Sequence, residues 1–335
     1  MNFKSTIKTT RRTAIASLLA LGLGLGALST VHAQTEIKLA HVGNPGSLFE
    51  ASANEFARLA NAKLGDKAKV IVFGSSQLGG DKAVIQKLKL GTIDLAILST
   101  VMSSEVDLFG IFEMPYLVSD RGHMKRIEET IFWESLAPAA EKKGLKILAV
   151  WENGYRHITN NTRPIVTPAD LKGIKLRTPK GKWRVKMFQT YGANPSPMAF
   201  SEVFTALQTG VMDGQENPLV QIYSAKFQEV QKYLSLSKHV YGPAYLASGT
   251  RKFATYSPEV QKALESAARE TQAFVYASAE KSEVELLAKM KAAGIQVNEV
   301  DSAAFVAASG AIYEEFGKEV PGASELIIKA QALRQ

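Results

Sequence analysis

The sequence predicts a two-lobed α/β protein. Its 335 residues are enough for two ordinary domains with sizeable cores. Short apolar strands alternate with amphipathic helices in two successive blocks, which is the pattern of a sheet with helical crossovers. A long helical stretch from Pro258 to Lys291 follows both blocks and can run across them. This layout leaves a crevice between the blocks, where α/β folds place ligands at the carboxyl ends of strands.

The first block covers residues 36 to 151, where strand and helix periodicity alternate. A Gly-Asn-Pro-Gly turn follows its first strand, and Gly91 is a stop signal for its second helix. The predicted strands are Glu36 to Val42, Lys69 to Phe73, Leu95 to Leu98 and Leu145 to Trp151, and the predicted helices are Leu48 to Leu64, Asp81 to Leu90 and Met124 to Ala140.

The second block repeats the alternation with new material. Ser201 is the predicted N-cap of one of its helices, and Gly317 is predicted to stop a helix near the end of the chain. The predicted strands are Ile174 to Arg177, Val211 to Gly214 and Tyr245 to Ser248, and the predicted helices are Ala169 to Lys172, Lys182 to Tyr191, Glu202 to Thr209, Pro218 to Val230, Ala303 to Phe316 and Ser324 to Leu333.

Residues 1–33 have the pattern of a secretory signal peptide. A basic head with four cations and no acidic residue precedes an apolar run from Ala14 to Val31, and Val31-His32-Ala33 is a small-x-small cleavage pattern. The alternative is a membrane anchor, since the run is about long enough to span a bilayer. The Arg11-Arg12 pair leaves twin-arginine export open. We expect cleavage near Ala33 and a periplasmic mature protein.

The composition argues against several classes of function. Removal of the signal leaves 36 cations against 32 acids, a net charge of +4 that suits an anionic ligand but is too weak to indicate nucleic acid. The chain has no cysteine, and its five histidines have no metal-binding spacing. It contains no nucleophile elbow and, in the mature part, no phosphate-binding glycine loop. We therefore expect no metal, no cofactor and no catalysis.

Four segments resemble the solute receptors of tripartite ATP-independent periplasmic (TRAP) transporters of the DctP type. The strongest runs from Asp170 to Leu219 and contains DLKGIKLRTP and YGANPSPMAFSEVFTALQTGVMDGQENPL. The others are FGSSQLGGD at Phe73 to Asp81, MPYLV at Met114 to Val118 and NGYRHITNNTRPI at Asn153 to Ile165. The resemblance covers essentially the whole mature chain, and these four segments are its specific motifs.

The resemblance implies a periplasmic binding-protein fold with an interlobe cleft and a long hinge-spanning helix. Lobe I is expected to comprise residues 34–153 plus about 243–282, and lobe II residues 154–242 plus about 283–335. The implied function is capture of a small organic acid by lobe closure and its delivery to the membrane permease subunits of a TRAP transporter, driven by an ion gradient. We expect a monomer.

The resemblance also implies which side chains bind the ligand. Arg177 ends the K-x-R-x-P strand and is expected to pair with the ligand carboxylate, because a guanidinium presents a planar two-pronged donor. From the residues alone, Lys175 and Arg177 could equally lie on a solvated strand face. Arg156 is the expected second cation, with a surface loop position as its alternative, and His157 is expected to face away.

Four further residues complete the predicted site. The amide of Asn217 is expected to donate to the ligand, although Asn followed by Pro218 also fits a helix N-cap. Phe200 is expected on the pocket wall or in the core, and Ser99 and Asn44 are candidates because they follow first-block strands.

The chain departs from the family pattern after the strand-end arginine. Several members carry a small polar residue three positions on, where this chain has Lys180, and Trp183 follows shortly. The extra cation would favour a second acidic group, and the tryptophan an aromatic or branched acid. The nature of the acid therefore stays open.

Two other functions remain as alternatives to the transport receptor. One is a chemosensory binding protein or a receptor for an ATP-driven importer. The other is a periplasmic enzyme acting on a carboxylate, which would need a base within reach of the bound acid.

Overall fold

The computed structural model describes residues 34–334. The predicted signal peptide and its cleavage site lie outside this part of the chain. No helix among residues 34–334 is both long enough and apolar enough to cross a membrane.

Ten strands form one continuous sheet of mixed direction. The neighbouring order is β2-β1-β3-β9-β4-β7-β5-β6, with β8 on β4 and β10 on β8. The strands are β1 (Thr35–Ala40), β2 (Ala68–Phe73), β3 (Leu95–Leu98), β4 (Leu145–Asn160), β5 (Lys175–Thr178), β6 (Asn194–Pro197), β7 (Gly214–Pro218), β8 (Tyr233–Leu236), β9 (Tyr241–Gly249) and β10 (Gln296–Glu299).

Twelve α-helices surround the described strands. They are α1 (Leu48–Leu64), α2 (Asp81–Leu90), α3 (Arg121–Ile127), α4 (Ala137–Lys142), α5 (Lys182–Thr190), α6 (Val203–Gln208), α7 (Leu219–Ser224), α8 (Thr250–Ala254), α9 (Pro258–Ala292), α10 (Ser302–Ala307), α11 (Gly310–Glu319) and α12 (Ala323–Ala332). Strands with helical crossovers and a 35-residue helix confirm the predicted fold class.

The long strand β4 joins the two halves of the sheet. Its first part pairs antiparallel with β9, which in turn pairs with β3 of the parallel β1–β3 group. Its last residues, Arg156 to Asn160, pair with β7, which continues to β5 and β6. A register shift lies between Glu152 and Gly154, where Gly154 has φ +119°, a conformation that L side chains rarely adopt.

Helix α9 packs against elements of both halves, including α1, β4 and α7. It is anchored to the crossing strand, because Trp151 donates from Nε1 to the Ala268 carbonyl at 3.0 Å and Gln272 donates to the Val150 carbonyl at 2.7 Å. The apolar core lies on the two faces of the sheet; Trp151 packs beside Phe56, for example, with ring centroids 6.0 Å apart.

Several predicted element boundaries were wrong. The predicted helix Met124 to Ala140 is interrupted by a π-helical segment, Glu128–Leu136, and the predicted helix Ala303 to Phe316 is two helices, with Gly317 inside the second. Ser201 does not cap α6, because a 3₁₀ turn, Phe200–Glu202, precedes that helix.

The predicted helix Pro218 to Val230 ends early, and the predicted strand Val211 to Gly214 is displaced. Helix α7 stops at Ser224, and Lys226 is in the left-handed conformation with φ 59°. Strand β7 begins only at Gly214, so Asn217 is a strand residue rather than a helix cap. Gly214 permits the close pairing with β4, because a Cβ there would lie 2.3 Å from the Thr159 carbonyl oxygen.

Candidate ligand-binding cleft

A cavity lies between the two halves of the sheet. One wall is formed by the segments that follow β1 and β3 and by the start of α2. The other wall is formed by segments around β5, β7 and α7, and strand β4 crosses between the two walls. Its lining is Val42, Phe49, Asp81, Ser99, Thr100, Val101, Asn153, Arg156, Arg177, Pro179, Phe200, Asn217 and Gln221. The fold therefore brings five of the six predicted site residues to one cavity.

Arg177 lies at the carboxyl end of β5 and is 3% exposed. Its Nε and Nη2 both donate to the Met198 carbonyl, at 3.0 and 2.6 Å. Met198 is itself held by a backbone hydrogen bond to Thr178 at 3.0 Å. One edge of the guanidinium is thus fixed, and Nη1 makes no hydrogen bond to any residue between 34 and 334. The alternative of a solvated strand face is wrong for Arg177, while Lys175 is exposed.

Burial lowers the pKa of Arg177 to about 10. Glu216 and Asp81 oppose this shift, and the nearby guanidiniums of Arg156 and Arg184 add to it. At neutral pH the Arg177 side chain is still a cation. Nearby carboxylates compensate its charge only in part, and the side chain is shielded from water. An anion in the cavity would meet an electrostatic field stronger than it would find at the surface.

Arg156 lies on β4 and is fixed by a bidentate ion pair. Its Nε and Nη2 donate to the two carboxylate oxygens of Glu216 at 2.5 and 2.9 Å, and Nη2 also donates to the Asn217 side-chain oxygen at 3.0 Å. Both partners are almost fully buried. As with Arg177, Nη1 has no partner in the described part of the chain. The predicted alternative of a surface loop is wrong, because residue 156 is inside a strand.

Glu216 is the centre of a buried charge network beneath the cavity. Arg184 donates to it at 2.6 Å and continues to Glu113 at 2.7 Å. Burial acts to raise the pKa of Glu216, but the attraction of Arg156 and Arg184 outweighs it, so the pKa lies well below its usual range. Glu216 therefore stays ionised, and it positions Arg156 and neutralises most of its charge.

His239 belongs to the same network as a neutral imidazole. Burial lowers its pKa to about 4, although Glu216 opposes that shift. Its Nε2 therefore donates to Glu216 at 3.1 Å, and its Nδ1 accepts from the Ser237 hydroxyl at 2.8 Å. Neighbouring His157 is on the strand face away from the cavity, next to Lys238 and Leu287.

Asn217 has a fixed amide orientation. Its oxygen accepts from Arg156, which has only donors, so its nitrogen faces Gln215 and donates to Gln215 Oε1 at 2.6 Å. The second N–H of this amide is without a partner among the described residues. The geometry is compatible with the predicted donation to a ligand.

Ser99, Phe200 and Asn44 differ in their positions. Ser99 lines the cavity and donates to the Pro243 carbonyl at 2.7 Å. Phe200 is half-buried on the wall and packs on Phe227, with ring centroids 5.7 Å apart. Asn44 does not reach the cavity, because Val42 and Phe49 provide the wall on either side of its turn.

Sequence reasoning missed four polar residues of the lining formed by the described residues, Asp81, Thr100, Asn153 and Gln221, of which Asn153 and Gln221 are the most buried. Asp81 begins α2 on the wall that faces Arg177, and it is the last residue of the FGSSQLGGD segment, which could have indicated it. Burial raises its pKa to about 6, while Arg177 acts in the opposite direction. Asn153 is the first residue of the NGYRHITNNTRPI segment, which could have indicated it in the same way, whereas Gln221 lies on α7 beyond the last quoted segment and no sequence signal marks it.

The two walls are in close contact around the cavity. A Cβ added to Gly181 would lie 2.9 Å from the Ser103 hydroxyl, and one added to Gly80 would lie 3.7 Å from the Ala199 Cβ. The described conformation is therefore closed over the cavity. An outer pocket with Lys82 and Lys180 on its rim adjoins it at Arg177.

Trp183 does not shape the cavity. It is 2% exposed and packs against Phe316 with ring centroids 5.0 Å apart. Trp183 is therefore part of the scaffold and gives no reason to favour an aromatic or branched acid. No group of three or more acidic, histidine or cysteine side chains within residues 34–334 is arranged to hold a metal ion.

The fold and the cleft define a two-lobed α/β solute-binding protein. The sequence model of the DctP family, bacterial extracellular solute-binding protein family 7, matches residues 39–319, and the chain belongs to this family.

The chain is similar to named solute-binding proteins and to solute-binding proteins of known structure. The 2,3-diketo-L-gulonate-binding periplasmic protein YiaO of Escherichia coli is 34% identical over 319 residues, 94% of this chain and 97% of that protein. A TRAP periplasmic solute-binding protein from Bordetella bronchispeptica, solved with density interpreted as pantoate, is 38% identical with a TM-score of 0.86, covering 90% of this chain and 100% of that one. One from Polaromonas, bound to D-erythronate, is 35% identical with the same TM-score and coverage.

Proposed function

We propose that this protein is the extracytoplasmic receptor of a TRAP transporter and binds the carboxylate of a small organic acid in the cleft. The observation that carries the proposal is the arrangement of Arg177 and Arg156. Both residues line the cavity, each guanidinium is fixed along its Nε–Nη2 edge by protein acceptors, and neither Nη1 has a hydrogen-bond partner among the described residues. Two prepositioned donors with positive charge match a carboxylate.

Enclosure accounts for the strength of such binding. Removing a carboxylate and a guanidinium from water is costly, and their attraction compensates only when the geometry is good and further hydrogen bonds are made. The fixed edges of both arginines provide the geometry, and closure of the two walls excludes water. Opening of the walls about β4, β9 and α9 is the movement by which we propose that the acid enters and leaves.

The relatives support an acid as the ligand and transport as the purpose. The ligands that the three similar proteins are named for or were solved with are all carboxylates. We propose that the mature protein is a periplasmic monomer after cleavage near Ala33, and that the closed form docks on the permease subunits of an ion-gradient-driven transporter.

We propose that the acid is released unchanged. The cavity lining contributed by residues 34–334 includes no histidine, lysine or tyrosine, and its carboxylate, Asp81, lies beside Arg177. An enzyme acting on the acid would need a base placed against the reacting carbon. The geometry favours a binding site over a reaction centre.

A thermal-shift screen of the mature protein against mono- and dicarboxylates tests the proposal. At about 100 times its Kd, a ligand adds about 2.7 kcal/mol of stability, which is about 5 °C in Tm for a protein of this size. Neutral sugars and amines of similar size are the controls. If a neutral sugar or an amine raised Tm and no carboxylate did, the proposal would be overturned.

A further inference from the structure

The cavity lining contains a further fixed polar group, the side-chain amide of Gln221. This residue lies on α7 and is 3% exposed. Its nitrogen donates to the Asn153 side-chain oxygen at 3.2 Å. Its oxygen, Oε1, is buried and accepts no hydrogen bond from the described residues.

The orientation of this amide is set by a backbone carbonyl, to which it is connected through a chain of three hydrogen bonds. The carbonyl of Pro243 can only accept, so the Ser99 hydroxyl must donate to it, at 2.7 Å. The Ser99 oxygen is then left to accept, and it accepts from the Asn153 nitrogen at 3.2 Å. The Asn153 oxygen consequently faces Gln221.

Because the Asn153 side-chain oxygen faces the Gln221 amide, Gln221 must direct its nitrogen towards Asn153. If the Gln221 amide were reversed, its oxygen would face the Asn153 oxygen. Reversing the Asn153 amide as well would place the Asn153 oxygen against the Ser99 oxygen, and the hydroxyl hydrogen of Ser99 is already donated to the Pro243 carbonyl. The polarity of this hydrogen-bond chain therefore leaves Gln221, a residue of the cavity lining, with Oε1 as a buried acceptor that has no donor among the described residues. A buried acceptor without a donor costs about 1–3 kcal/mol, so a donor brought by the ligand removes this cost on binding.

We infer that the ligand is a hydroxy acid and that Gln221 is the residue that selects its hydroxyl group. This inference rests on the proposed function, because the arginines must take the carboxylate. A carboxylate or carbonyl group facing Oε1 would oppose one acceptor to another, and a methylene would leave Oε1 unpaired. A hydroxyl donates to Oε1 and is the neutral group that satisfies it.

The test compares acids that differ only by a hydroxyl group. Dissociation constants are measured by calorimetry for butanoate, for both enantiomers of 2- and of 3-hydroxybutanoate, for the achiral 4-hydroxybutanoate, and for D-erythronate. For the wild-type protein we expect at least one hydroxylated acid to bind about 10-fold or more tightly than butanoate.

Two variants assign the discrimination to Gln221. Gln221→Met keeps the size but removes the acceptor, and we expect it to reduce the hydroxy-to-deoxy affinity ratio to within about threefold. Ser99→Ala removes the hydroxyl group that fixes the direction of the hydrogen-bond chain, and we expect it to reduce the hydroxy-to-deoxy affinity ratio as well. Gln189→Met, at an exposed position of α5 away from the cleft, is the control and should keep the wild-type ratio.

The outcomes separate this inference from the proposed function. If butanoate or another acid without a hydrogen-bond donor binds as tightly as every hydroxylated acid, the inference fails and the acid receptor stands. A ratio that persists in Gln221→Met would also overturn it, since another acceptor such as Asp81 would then select the hydroxyl. If no carboxylate binds at all, it is the proposed function that fails.

Discussion

Replacement of Arg177 by alanine tests the central feature of the site. The substitution removes the less compensated of the two cavity guanidiniums and leaves the ligand carboxylate facing Arg156, whose charge Glu216 already neutralises. Loss of one partner of a buried ion pair costs about 3–5 kcal/mol. Because Arg156 still offers Nη1, we expect the lower end of this range, a weakening of Kd by roughly 150-fold.

The same substitution should leave the fold intact. In the ligand-free protein Arg177 donates only to the Met198 carbonyl among the described residues, and its lowered pKa means that the folded state disfavours its charge. Removing the side chain therefore loses two hydrogen bonds but also relieves the burial of a charge. We expect unfolding by denaturant to remain cooperative, with a midpoint close to that of wild type.

Calorimetry with the tightest acid from the thermal screen provides the measurement. Arg177→Lys keeps the charge but loses the planar fork, so its affinity should lie between those of wild type and Arg177→Ala. Lys175→Ala removes an exposed cation from the same strand and is the matched control, with an expected change of less than about threefold. If Arg177→Ala also bound within about threefold of wild type, the carboxylate could not lie against this guanidinium.

Two further predictions concern pH. Asp81 has a raised pKa of about 6 and faces the site of the anion, so a bound carboxylate should raise that pKa further. The affinity for the acid should therefore increase as pH falls from about 8 to 5.5, and Asp81→Asn should abolish this pH dependence. Calorimetry that found a steeper or unchanged pH dependence in the variant would contradict this reasoning. The buried histidines His41, His157 and His239 have pKa values lowered to about 4, 3 and 4, so their contribution to stability falls as pH is lowered from 7.5 to about 5, while the raised pKa values of Asp81 and Glu128, about 6 and 7, act in the opposite direction. His157→Gln removes one of the histidine contributions, so its denaturant midpoint should fall less, or rise more, than that of wild type over this interval; an identical pH dependence in the two proteins would be the opposite result.

Much of the first half of the fold could be predicted from the sequence because its signals are local. Helices α1 and α2 and strand β3 have the predicted bounds. A serine cap or a terminal glycine marks the ends of these helices, and an apolar run of strand length defines β3. The signals for β6, β8 and β10 are not local. Strand β6 has the sequence NPSP, whose prolines argue against a strand, and it forms because it lies at the end of the sheet order beside β5.

The site was predictable to the extent that its residues belong to recognisable segments. Arg177 and Arg156 were identified from the family motifs, since the alternation of apolar and basic residues around Arg177 equally fits an exposed strand. Gln221 could not be found in this way. Its importance depends on the direction of a hydrogen-bond chain through Asn153 and Ser99, and that direction is set by a carbonyl on β9, about 20 residues further along the chain than Gln221 itself.

The charges around the cleft bear on which acids can enter it. The cavity and the network beneath it bring together three guanidiniums and three carboxyl groups, namely Arg156, Arg177, Arg184, Asp81, Glu113 and Glu216. The carboxyl groups of Asp81 and Glu113 have raised pKa values through burial, so the addition of one ligand carboxylate is eased by proton uptake at Asp81.

A second carboxylate on the ligand would have no such compensation inside the cavity. Two further cations near the cleft, Lys82 and Lys180, lie in the outer pocket and are exposed, so their charges are screened by water. Within the cavity a second carboxylate would meet the Gln221 oxygen, which can only accept, or Asp81, whose proton uptake already offsets the charge of the first carboxylate. The cavity therefore favours a monocarboxylate over a dicarboxylate, and the thermal screen should order the acids accordingly.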